Sequence, residues 1–305
     1  MGFEGFTEKD FETYRPQHRT SAMYTLARRQ VRDKLKVLMT EVQARLGEEA
    51  VAFDTVFSSE TPSLENNRSV AEQGVYLIRS KADQEGVRAL VEKLSLRSTV
   101  ALDVAVFHKH AALGLVVDDV GIKSLLSLHP RGQVDRQNLK ARLSEGWAQD
   151  AYAKLLQGLP GDFTLVLPGA EAMDSSKVTV DVVLELQKAL ETDAPMTVFR
   201  QHPRTTATDA LPEVLAADLR TLLPVYRFGA WARDHDFIQA QKAIKEHKQE
   251  ARKATQYQVG DRVKILSGLW SGRQGTVEEV DKKGVLKVQV GLVSVKVDAK
   301  DAQAV

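Results

Sequence analysis

The sequence predicts an α+β front domain followed by a small β-barrel. Over residues 1–235, stretches with apolar residues at three- and four-residue steps mix with short apolar runs of strand length. Beyond residue 257, four short alternating runs follow one another with tight turns and no helix between them. Between the two parts lies a helical stretch that becomes polar on every side, the mark of a solvated connector. The expected division is a mixed α+β domain at 1–235, a charged helical linker at 236–256 and the barrel at 257–305.

Residues 21–46 read as an amphipathic helix. Met23, Leu26, Val31, Leu35, Leu38, Val42 and Leu46 recur at helical steps, Gly47 ends the pattern, and Arg29, Arg32 and Lys36 fall on the other side. Val51–Phe57 and Gly74–Ile78 are strand-like, separated by a polar loop with Pro62 and Asn66-Asn67. A helical stretch, Gln84–Leu94, precedes three apolar runs, Val100–Phe107, Ala111–Val117 and Ile122–Leu128, whose short polar breaks suggest an antiparallel meander. After the turn at His129–Gly132, Asp135 is placed to cap a helix burying Leu139, Leu143 and Trp147. Phe163–Leu167 and Met196–Arg200 read as strands on either side of a helix over Val178–Leu190. Pro212 suits the first turn of a helix reaching Leu223, and Tyr226–Trp231 fits either strand or continued helix. The last helix starts at Asp234 or Asp236 and runs to about Lys253, its apolar spacing fading after Ile244. The arrangement favours α+β over a doubly wound sheet.

With 43% hydrophobic and 27% charged residues, the 305-residue chain has the balance of a folded, soluble protein. It contains no cysteine, which excludes disulfides, thiolate metal sites and cysteine nucleophiles. The opening Met1–Phe6 has neither a basic start nor an apolar run, and no segment has membrane-spanning length, so the expected compartment is the cytoplasm with no membrane partner. The net charge of +1 conceals an asymmetry. Residues 239–255 hold five basic against two acidic side chains and residues 256–305 eight against six, so this end carries +5 and residues 1–238 carry −4. Such an imbalance points mildly to a polyanionic partner at the C-terminal end.

In the C-terminal part, Arg262–Leu266, Thr276–Val280, Val285–Val290 and Leu292–Val297 alternate as strands, with Ser267–Gly272 as a loop and Asp281–Gly284 as a hairpin connection. Four strands in about fifty residues make a barrel of SH3-like size. The run Gly260-Asp261-Arg262-Val263-Lys264-Ile265, followed by Gly268-Leu269-Trp270-Ser271-Gly272-Arg273-Gln274-Gly275-Thr276-Val277, resembles the KOW motif of NusG-type transcription elongation factors and of a large-subunit ribosomal protein. Gly275 matches the glycine that defines the motif, and Trp270 stands where NusG relatives carry an exposed aromatic. The resemblance spans residues 257–300, and residues 1–235 do not reproduce the NusG front domain. It implies a module that docks on RNA or on a protein of the transcription or translation machinery. The candidate contacts are Trp270, as a stacking aromatic, with Lys264, Arg273, Lys282 and Lys283 close in sequence to meet phosphates. A tryptophan capping a small core and lysines on an ordinary wet surface account for the same residues.

In the front domain, His108, His110 and His129 with Asp103, Asp118 and Asp119 nearby form the densest ionisable set. In a strand, residues 108 and 110 share a side, so both imidazoles can face one metal with His129 as a third ligand; a polar hairpin turn explains them equally. His202–Thr206 can offer a basic loop to phosphate but lacks the glycines of a P-loop. No serine elbow, dinucleotide fingerprint, kinase set or metalloprotease motif is present, and no cofactor is implied. The function expected is non-catalytic binding to RNA or a ribonucleoprotein through the barrel. An enzyme with its active site in residues 1–235 and the barrel as a targeting module is one alternative. An adaptor whose barrel packs on the front domain is the other.

Overall fold

The computed structural model describes residues 2–93, 105–167, 169–206, 208–254, 257–281 and 285–305. The chain forms two units, Met1–Phe237 and Ile238–Val305. In the first, α1 (Glu8–Glu12) leads through a 3-10 turn at Ala22–Tyr24 into α2 (Thr25–Leu46). Val31, Leu35, Leu38, Val42 and Leu46 bury as expected, but Met23 is 91% exposed and Leu26 also faces solvent. Leu26 lies five residues before Val31, which at about 100° per residue swings it well off the buried stripe. The buried position in that first turn belongs to Arg28, whose guanidinium donates to the carbonyls of His18, Arg19 and Ser21.

β1 (Phe53–Phe57), β2 (Gln73–Arg79) and α3 (Lys81–Lys93) come next, then β3 (Ala111–Val117) and β4 (Gly121–Leu128). α4 (Gln133–Arg142), α5 (Gly146–Gln157), β5 (Phe163–Val166), β6 (Met173–Asp174), α6 (Val180–Ala189), β7 (Met196–Pro203) and α7 (Leu211–Gly229) complete the unit. Its seven strands form one antiparallel sheet in the order β1-β2-β3-β4-β7-β5-β6. α2 packs on β2, and α7 on β3 and β4, over a core that includes Leu113, Leu115 and Val117. The alternate residues of β3, Ala112 and Val116, bury on the opposite side with Tyr76, Ile78, Phe107 and Leu125. Burial on both faces is why these strands read as unbroken apolar runs.

The meander is β2-β3-β4. Of the strand expected over Val100–Phe107, residues 100–104 lie outside the described residues, and Val106–Lys109 is a 3-10 turn. Phe107 turns onto the sheet instead of pairing along it, and stacks on Tyr76 with ring centroids 4.0 Å apart and planes 6° from parallel. The Tyr76 ring lies close over Gly114, its cross-strand partner, and Gly74. A Cβ at Gly114 would come 2.7 Å from that ring, and one at Gly74 2.6 Å.

Two further expectations change. Gly132, not Asp135, sits at the start of α4, and Asp135 is buried in the first turn. There it pairs with Arg79 and accepts from the backbone N–H groups of Ala111 (2.7 Å) and Trp231 (2.8 Å), so a fully satisfied buried carboxylate ties three segments together. Leu139 and Leu143 are buried, but the helix ends before Trp147, which begins α5 exposed to solvent. α7 passes through Pro224 to Gly229, deciding Tyr226–Gly229 as helix; Pro224 is on the wet side, where the carbonyl it frees can meet water. α8 (Phe237–Ala254) follows.

The second unit contains β8 (Arg262–Ile265), β9 (Gln274–Val280), β10 (Val285–Val290), β11 (Val293–Asp298) and β12 (Ala302–Ala304). They form an antiparallel sheet in the order β11-β10-β9-β8-β12, one strand more than expected and with its outer strands unpaired to each other. Val263, Ile265, Val277, Leu286, Val288 and Val297 make its core. Among the described residues no helix is long and apolar enough to cross a membrane.

Candidate functional site

β8 alternates buried Val263 and Ile265 with exposed Arg262 and Lys264. The chain then leaves the sheet at Leu266 and returns at Arg273. This connection is held by its own backbone: Gly272 N–H donates to Ile265 O (2.7 Å), Ile265 N–H to Arg273 O (2.8 Å) and Arg273 N–H to Trp270 O (3.1 Å). Leu266 N–H reaches Asp301 O at 2.7 Å, fixing the loop to the 3-10 turn before β12. Within it, Gly268–Trp270 is a 3-10 turn that sends its two large side chains apart. Trp270 is half-buried against the unit's core, whereas Leu269 is 97% exposed.

β8 and β10 run the same way, both antiparallel to β9, so the loop after β8 and the Gly291-Leu292 turn after β10 lie at one end of the sheet. Leu292 is fully exposed there. Lys264 and Arg273 are exposed and form no ion pair among the described residues, while Lys287 faces Glu278 at 3.6 Å. Lys282 and Lys283 lie outside the described residues. The structure thus brings Lys264, Arg273 and an apolar tip together, and the tip is Leu269 with Leu292. Each of these leucines directly follows a glycine in a connection, a local signal that a search for aromatics passes over. The end offers apolar and cationic contacts.

The front-unit histidines take different places. His108 and His129 stack face to face, centroids 4.0 Å apart and 14° from parallel, with Phe107 edge-on to His108. A ring nitrogen's lone pair lies in the ring plane, so stacked rings direct theirs side by side instead of at one ion. His129 Nδ1 also accepts the Arg131 N–H at 3.1 Å. His110 is buried, its Nδ1 without a hydrogen bond. Burial lowers all three to about 4; the charges of Arg79 and Lys109 add to this at His110, and those of His108, Arg131 and Arg136 at His129. Asp103 lies outside the described residues. Among the described residues, no group of three or more His, Asp or Glu could hold a metal.

A second polar cluster was not visible in the sequence. Asp218 of α7 accepts from Ser124 Oγ (2.6 Å) on β4 and Arg200 Nη1 (2.8 Å) on β7, and His202 Nε2 lies 2.6 Å from it. Burial would raise this carboxyl, but the bonds from His202, Ser124 and Arg200 hold it below its ordinary value. The carboxylate stands between serine and histidine, and the hydroxyl donates to it. Ser124, His202 and Asp218 are all buried, and the set fastens α7 to the sheet. Arg204 of the His202–Thr206 loop pairs with Glu8 and the Asp119 carbonyl.

No protein-family model matches this chain, and no curated protein matches it.

Proposed function

We propose that this chain is a non-catalytic binding protein whose C-terminal unit, an SH3-like barrel of the KOW type, docks on a ribonucleoprotein of the transcription or translation machinery. The observation that carries the reading is Leu269, fully exposed on a loop that its own hydrogen bonds hold, between Lys264 and Arg273, which form no ion pair among the described residues. A rigid loop meets a partner without first losing conformational entropy, and an exposed leucine beside cations suits a surface that is partly apolar and partly phosphate. The barrel reading draws on the return of the last strand, β12, to the first, β8, after a 3-10 turn at Ala299–Asp301. The KOW reading draws on Gly275. A Cβ there would stand 2.5 Å from the Gln289 carbonyl, so the position admits glycine alone without a shift of β10.

The test is co-sedimentation of the full chain with purified ribosomes and, separately, with transcription elongation complexes, each with and without nuclease. Wild-type chain is expected to sediment with one of them. The double variant Leu269→Ser, Arg273→Glu is expected to lose about tenfold or more in affinity, since a buried apolar anchor and a charge pair go together. Equal sedimentation of the variant would remove the assigned surface, and no association of the wild type would remove the function. Survival after nuclease would name a protein component, and loss would name RNA.

A further inference from the structure

The front unit holds an open cavity of about 670 Å³ between the chain before α2 and the loop joining β1 to β2. Its volume falls within the range of small-molecule sites. Thr20 and Ala22 form one side; Thr61, Pro62, Ser63, Leu64 and Arg68 form the other. The second side is preorganised. Ser63 N–H donates to Asn66 Oδ1 (2.8 Å), Asn66 Nδ2 to Thr61 O (2.8 Å) and Arg68 N–H to Ser63 O (2.6 Å). Asn67 and Arg68 hold the left-handed backbone, with φ of 54° and 57°, a conformation that side chains other than glycine's rarely take.

The internal bonding leaves two groups unused. Ser63 Oγ faces the Asn66 N–H as the cap of the 3-10 turn Leu64–Asn66 and its O–H meets no acceptor, and the Arg68 side chain forms no ion pair among the described residues. Further cations stand near the loop: Arg29 and Arg32 both reach the carboxylate of Glu60, at 3.8 and 3.1 Å, next in the chain to Thr61. Apolar surface is unused too. Leu64 is 71% exposed on the wall, and Met23, exposed in the 3-10 turn before α2, follows Ala22 directly.

We propose that this cavity binds the phosphate monoester of a small organic molecule. The Arg68 fork, the Ser63 hydroxyl and the Thr20 hydroxyl donate to the phosphate oxygens, and Leu64 and Pro62 receive the organic part. A monoester presents three acceptor oxygens and close to two negative charges at neutral pH, which suits one arginine fork and two hydroxyls better than a carboxylate does.

Isothermal titration of the full chain with phenyl phosphate, in a low-salt buffer free of phosphate, tests this. Two variants remove the donors. Arg68→Gly places glycine where φ is positive, and Ser63→Ala deletes the hydroxyl that caps the 3-10 turn Leu64–Asn66. R68G is expected to melt no lower than wild type and S63A slightly lower, and both to weaken phenyl phosphate about tenfold or more. Inorganic phosphate is expected to bind wild type more weakly than phenyl phosphate does, because it leaves Leu64 uncovered. Absence of saturable phenyl phosphate binding, or wild-type affinity in R68G, would overturn the proposal. Equal affinity for inorganic phosphate would overturn its organic half and leave a plain anion site.

Discussion

His108, His110 and His129 all sit where a proton is costly. Their ordinary pKa is 6.5 and the fold lowers each to about 4, burial being the largest cause. The unfolded chain therefore takes up protons below 6.5 that the folded chain refuses until about 4, and stability is lost as pH falls through that window. Above it the contribution is complete. The urea midpoint of the front unit is expected to be lower near pH 5 than near pH 7.5. His129→Phe, which can keep a ring against His108, is expected to flatten that slope; an unchanged slope would place the titration elsewhere. These histidines were legible as a cluster because they are close in sequence, yet their stacking was not, since it depends on where Phe107 lands. Trp147 and Trp270 make a similar point. Residue type announces an interest in burial, and the neighbouring turn decides which side chain is sent in.

At the scale of elements, periodicity located α2, α6, β3, β4 and the strands β8 to β11, because each has enough residues to show a period. β12 was invisible. Ala302–Ala304 is three residues long and carries no strand preference of its own, and it exists because β8 offers an open edge. Likewise the pattern from Pro212 supports a helix to Leu223 and leaves Tyr226–Trp231 open, while burial of Val225, Tyr226 and Phe228 carries α7 on to Gly229. Gly275 gives the element-scale prediction. It stands where β9 crosses close over β10, with Gln289 O, Val288 and Val290 all within 3 Å of a would-be Cβ. Gly275→Ala is expected to destabilise the second unit by about 2 kcal/mol or more, as overpacking and a backbone shift together do. Guanidinium denaturation followed by Trp270 fluorescence in a chain lacking the other two tryptophans measures it. Thr276→Ala, one residue on and exposed, serves as the control.

At the scale of the molecule, the α+β class was legible because long helical periods and short strand runs alternate irregularly. The position of the Asp135 and Asp218 networks was not, since each joins residues between about 16 and 96 positions apart, and no local pattern encodes such pairing. The charge division, −4 over residues 1–238 and +5 over 239–305, bears on the proposed docking. If phosphates take part, association should weaken steadily between about 50 and 200 mM salt. Binding indifferent to salt would assign it to Leu269 and Leu292 alone. A different consequence follows from Tyr76, lying close over Gly74 and Gly114 beneath Phe107. No single replacement at either glycine leaves the ring its bed, and shrinking the ring leaves Phe107 with nothing to rest on. In a lineage these four positions would be inherited as a block, so a descendant that gains a side chain at 114 should already have given up the aromatic at 76.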